Sequence, residues 1–117
     1  MQNPNQIQLE KHDAVTLMDI KGDITAFSET FLNEAYQKAN DQGAGKILLK
    51  IEKDAYINSG GIALLIQILA QTKRNNQQIG IAGISDHFEK IFHMVGITKF
   101  AKLYPDVETA INLMAEE

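Results

Sequence analysis

The sequence predicts an α/β layer fold: one domain, a mixed sheet of four to five strands and about four α-helices. Three observations lead there. Short apolar runs that read as strands alternate with segments whose apolar residues recur at helical spacing. Capping residues and glycines mark the boundaries between them. The chain has 117 residues and 44% hydrophobic content, enough for one core and short for two.

Residues 1–6 are polar and read as a disordered start. Ile7-Gln8-Leu9 alternates like a short edge strand, Lys11-His12-Asp13 reads as a hairpin turn, and Ala14–Ile20 as a strand. Lys21-Gly22-Asp23-Ile24-Thr25 breaks that strand. A helix is expected from Ala26 to Asn40, capped by Thr25 or Ser28, with Phe31, Leu32, Ala35 and Ala39 on one face. Gly43 suits the left-handed cap that ends it.

Lys46–Ile51 is almost continuously apolar, as a strand covered on both faces should be. Asn58 then caps a helix running to about Asn75. In that helix Ile62, Leu65, Ile66 and Leu69 form one apolar row, and Leu64 and Ile68 a second. The second row is either buried or a docking surface. Gln78–Gly83 reads as another buried strand. Ser85 caps a helix whose apolar face is Phe88, Ile91, Phe92 and Val95, ended by Gly96. Ile97–Leu103 has room for a last short strand. Pro105 suits the first position of a closing helix with Val107, Ala110, Ile111 and Met114 on one face.

Eleven basic and fifteen acidic residues give a net charge of −4, which argues against a nucleic-acid partner. The only adjacent basic pair, Lys73-Arg74, sits at a helix end, where the dipole favours cations. The absence of cysteine removes disulfides, thiol catalysis and Cys-based zinc sites. No signal-like start or bilayer-length apolar run is present, so a cytoplasmic protein without membrane insertion is expected.

No catalytic constellation emerges, and no enzyme activity, cofactor or metal is expected. His87 and His93 are six apart, not the four that places two metal ligands on one helix face. Ser59 has no base partner. The carboxylates Asp19, Asp23, Glu29 and Glu34 are scattered, and no nucleotide-binding glycine motif occurs. What remains is the strand–turn–helix at Ile57-Asn58-Ser59-Gly60-Gly61-Ile62. It presents free backbone N–H groups and a positive dipole end, where a phosphate or a partner would sit well.

This turn resembles the STAS domain, a family named for sulfate transporters and anti-sigma factor antagonists. So do the loop Gly22-Asp23-Ile24-Thr25 and the segment Ile84-Ser85 through Phe92-His93-Met94-Val95-Gly96-Ile97. The resemblance spans roughly residues 7–115. It implies a partner switch in which the antagonist binds a serine-kinase anti-sigma factor, is phosphorylated at the start of the second helix and released, and is reset by a phosphatase. The family turn commonly reads Asp-Ser-Ser-Gly, with the second serine as acceptor. Here that position is Gly60, the preceding serine is Ser59, and Asn58 replaces the acid. The acidic end of the family's first loop is Thr25.

The resemblance leaves three readings: Ser59 accepts phosphate one position early, binding is not phospho-controlled, or the chain serves another STAS role, such as the cytoplasmic subunit of a lipid-transport ABC system. A nucleotide-binding sensor is the alternative from another class. The expected docking surface is the first loop from Asp23 to Ser28, with Asp23, Thr25 and Ser28 named in it, the turn Asn58, Ser59, Gly60 and Gly61, and the exposed row of the second helix near Leu64 and Ile68. A bulky or charged change at Gly60 is expected to block it.

Overall fold

A computed structural model describes residues 5–116. Its elements are β1 (Gln6–His12), β2 (Val15–Lys21), α1 (Glu29–Asp41), β3 (Lys46–Ile51), α2 (Ser59–Arg74), β4 (Gln78–Ala82), α3 (Asp86–Met94), β5 (Lys102–Tyr104) and α4 (Val107–Ala115). Short 3-10 turns at Ala26–Ser28 and Ile97–Lys99 precede α1 and β5. The expected mixed α/β sheet is present.

The five strands lie in sequence order, β1 antiparallel to β2 and the others parallel. Right-handed crossovers between strands added in one direction all pass over the same face. That face carries α1, α2 and α3 over a core built around Met18, Ile47, Leu49, Leu65, Ile81 and Phe92. With β5 complete, α4 folds back over the other face, where Val15, Leu17, Leu48, Ala82 and Tyr104 meet Ala110 and Met114. Both faces of the parallel strands are thereby covered, which explains their continuous apolar runs.

Several boundaries differ from the sequence reading. Residues 1–4 of the expected disordered start lie outside the described residues. Asn5 is buried, its amide donating to the carbonyls of Lys21 and Asp23, both at 2.9 Å, and Gln6 opens β1. β1 also takes in Lys11 and His12, because the turn is at Asp13, whose φ of 54° is left-handed backbone that aspartate tolerates. The helix expected from Ala26 is divided. Thr25 Oγ1 accepts from the Phe27 N–H and Ser28 Oγ from the Thr25 N–H, and this reciprocal cap closes a 3-10 turn before α1 starts. Val95 follows the last residue of α3 and is exposed, outside the apolar face assigned to it. Pro105 precedes the cap of α4, which is Asp106.

Asp106 Oδ1 accepts from the Thr109 N–H at 2.7 Å, and this bond, with one to the Thr109 side chain, holds its carboxyl below the usual aspartate range. A depressed folded-state pKa adds stability above the unfolded-state value and loses it as pH falls through the folded one. Acid titration of Asp106→Asn, which keeps a capping oxygen without the charge, is expected to show a shallower loss of stability below the ordinary aspartate range. A slope equal to that of the parent chain would refute this role.

Candidate functional site

Three loops leave the carboxyl ends of β2, β3 and β4 and gather at one end of the sheet, where crossover folds place their binding surfaces. The first two are joined backbone to backbone. The Ile24 N–H donates to the Tyr56 carbonyl at 2.9 Å and the Asn58 N–H to the Ile24 carbonyl at 3.2 Å, an isolated parallel bridge beyond the sheet. Asp23 Oδ1 accepts from the Tyr56 N–H at 2.8 Å, and Glu52 Oε1 from the Gly22 N–H at 2.7 Å. The third loop joins through an edge-to-face contact of Tyr56 with Phe88, ring centroids 6.3 Å apart.

The start of α2 is built on this seam. Asn58 Oδ1 accepts from the Gly61 N–H at 2.9 Å, the cap expected from sequence. A Cβ on Gly61 would collide with the Ile24 carbonyl, so no larger residue fits without moving the bridge. Gly60 packs against the 3-10 turn. A Cβ there would lie 3.0 Å from both Ala26 Cβ and Ala26 N.

The structure brings the residues singled out from sequence into one region but exposes only some of them. Asp23 and Ser59 are exposed, and Asn58 and Gly60 half-buried. Thr25, Ser28 and Gly61 are buried, and they shape the surface from beneath. Leu64 and Ile68, expected in an exposed row, are only 6% and 1% exposed. Because α2 crosses the middle of the sheet with α1 and α3 in the same layer, Leu64 and Ile68 enter the same core as Leu65 and Leu69, while Ile66, expected in the first apolar row, is turned outward. Its outward line is Ala63, Ile66 and Gln67 instead.

Two aromatic residues not named as site residues from sequence flank the turn, although Phe27 lies within the expected docking loop Asp23–Ser28. Phe27 is 72% exposed on the 3-10 turn, and Tyr56 is 61% exposed just before α2. For Tyr56 a signal existed: Ala55-Tyr56-Ile57 alternates, and burial of Ala55 and Ile57 turns Tyr56 outward. For Phe27 no local signal existed, because its exposure follows from the 3-10 turn that replaces the expected helix start. Among the described residues no three His, Asp or Glu side chains gather closely enough to hold a metal ion, and no helix is long and apolar enough to cross a membrane.

The STAS domain family model matches residues 6–110. An anti-sigma-B factor antagonist of Staphylococcus aureus is 22% identical over 91 residues, covering 78% of this chain and 84% of that protein. The crystal structure of an anti-sigma factor antagonist from Mycobacterium paratuberculosis superposes with a TM-score of 0.77 at 19% identity, over 97% of each chain. The anti-sigma factor antagonist SpoIIAA in its unphosphorylated form gives 0.72 at 17% identity, over 94% of this chain and 98% of that one. At these identities the structural likeness establishes the fold.

The packing at Gly60 is directly testable. Gly60→Ser is expected to lower stability by about 1 kcal/mol, a typical cost for a crowded substitution, as read by chemical denaturation. Adding Ala26→Gly should restore only part of it, because Ala26 N lies as close as Ala26 Cβ. Full stability in the single variant would show that the turn yields freely.

Proposed function

The chain belongs to the STAS domain family, and on that premise we propose that it is a non-enzymatic regulatory module of the anti-sigma factor antagonist type. Its partner in this reading is a serine-kinase anti-sigma factor. The observation that carries the proposal is the exposed pair Phe27 and Tyr56 beside the capped N-terminus of α2. Large aromatic side chains on a hydrogen-bonded frame lose little entropy on binding and often dominate an interface. Asp23, Ser59 and the open side of Gly60 complete the surface, and Ile66 extends it along α2.

Gly60 carries no hydroxyl, and its neighbours Thr25 and Ser28 are buried. Ser59 is the hydroxyl that this turn exposes, so a kinase docked here would phosphorylate Ser59. A phosphate there adds about −1.5 to −2 charge. The positive end of α2 tolerates that charge, while an apolar or acidic partner surface is repelled. One residue along a helix turns a side chain by about 100°, so the kinase must meet Ser59 from another direction than the usual acceptor.

Affinity purification of the tagged chain from its native host, followed by mass spectrometry, tests the reading. Recovery of a serine-kinase anti-sigma factor is expected, with any phosphate on the peptide containing Ser59. Recovery of an ATPase and a permease instead would favour the transporter-subunit role. With the partner in hand, Phe27→Ala and Tyr56→Ala should each weaken binding by about 2 kcal/mol, roughly thirtyfold in Kd, Phe27→Ala without loss of thermal stability and Tyr56→Ala with the small loss that follows from removing its contact with Phe88. Unchanged affinity in both variants would remove these residues from the interface.

A further inference from the structure

The two edges of the sheet differ. β5 is three residues long and is followed by Pro105, which blunts that edge. β1 is seven residues long, has no proline, and keeps an unbroken register with β2 from Gln6↔Lys21 to His12↔Val15, so no bulge turns it away. Its outer side is the end of the sheet. Beside it, between β1 and α1, runs a groove of about 470 Å³ floored by Ile7, Leu9, Phe31 and Ala35, with Glu34 and Lys38 on its rim. A long, regular edge next to a groove with an apolar floor and a polar rim is a template for strand addition.

We propose that the occupant is a second copy of this chain, joined β1 to β1 in antiparallel fashion about a two-fold axis at Leu9. The charge pattern selects this partner and this register. With the axis at Leu9 all seven residues pair. Gln8 then faces Glu10 of the second copy, Ile7 faces Lys11, and Gln6 faces His12, with no like charges opposed. Moving the axis toward the hairpin sets Glu10 against Glu10 or Lys11 against Lys11, and moving it the other way shortens the overlap. Ile7 and Leu9 point to the α1 face, so the two grooves become continuous across the axis. The two α1 helices then run antiparallel, and Glu34 of each copy meets Lys38 of the other one helical turn away. Among the described residues neither side chain has an ion-pair partner within its own chain. This surface is separate from the end of the sheet that carries Phe27 and Tyr56, and the inference does not rest on the proposed function.

Sedimentation velocity of the full chain over a concentration series tests the dimer. The net charge of −4 opposes self-association, so physiological salt, with a screening length of about 8 Å, is the right condition. A dimer is expected in the parent chain. Glu34→Lys alone and Lys38→Glu alone each set like charges across the axis twice and should raise the dimer Kd by about tenfold or more. Mixing the two variants in equal amounts restores both opposite-charge pairs in a heterodimer, so association should return. Both substitutions are on exposed positions, and each variant is expected to keep the circular dichroism spectrum of the parent chain. A chain that stays monomeric up to about 1 mM overturns the proposal. A dimer indifferent to both variants, or variants whose mixture stays monomeric, overturns it as well.

Discussion

The Ile24 carbonyl is the point from which the functional end of the molecule is organised. It accepts the Asn58 N–H and lies against the Cα of Gly61. The first contact fixes where α2 begins, because Asn58 held in this way turns its own side chain onto the Gly61 N–H. The second excludes a side chain at position 61, so the helix start can approach the first loop at backbone distance. Ile24 and Ile57 are both buried, so the bridge is shielded from competing water. Loosening that one carbonyl would release the cap, the helix entry and the orientation of Tyr56 together.

The first loop is as tightly specified as the second. Ser28 Oγ receives the Thr25 N–H and donates to the Asp23 carbonyl at 3.3 Å, while Asp23 holds Tyr56 from the other side. Small polar residues that sequence reading places on a docking surface are spent on internal hydrogen bonds, and the hydrophobic residues beside them are left outside. Phe27 and Tyr56 are therefore displayed on a frame that needs little ordering when a partner arrives.

The elements with local signals were legible. Asn58, Ser85 and the glycines at 43 and 96 act as their residue types imply, and the alternation of strand and helix gave the layer architecture. What failed depended on tertiary facts. Helical spacing reveals that α2 has two apolar rows but not how many layers cover them, so Leu64 and Ile68 were placed on a surface that α1 and α3 close. Phe27 shares a face with Phe31 only if the helix is unbroken from Ala26. The reciprocal cap of Thr25 and Ser28 tightens the first three residues into a 3-10 turn, which advances about 120° per residue against 100° in an α-helix. That change of pitch shifts Phe27 off the line of Phe31, which is itself only half-buried, and leaves Phe27 in solvent.

Gly60 and Ser59 differ in consequence because they face different neighbours. The Cα of Gly60 rests on Ala26, so the first loop and the start of α2 form one packed unit, and any side chain at position 60 would press the turn that carries Phe27. Ser59 faces solvent and disturbs nothing in the frame. A charge at position 60 would alter the shape of the docking surface, whereas a charge at position 59 would alter only its electrostatics. Control by phosphate at Ser59 would thus act on the partner alone and leave the fold of the docking surface intact. The frame itself extends to the sheet edge through Asn5, whose amide holds the carbonyls of Lys21 and Asp23 while its side of β1 borders the groove. A second copy seated along β1 and a partner seated over Phe27 and Tyr56 would share that residue without competing for a surface.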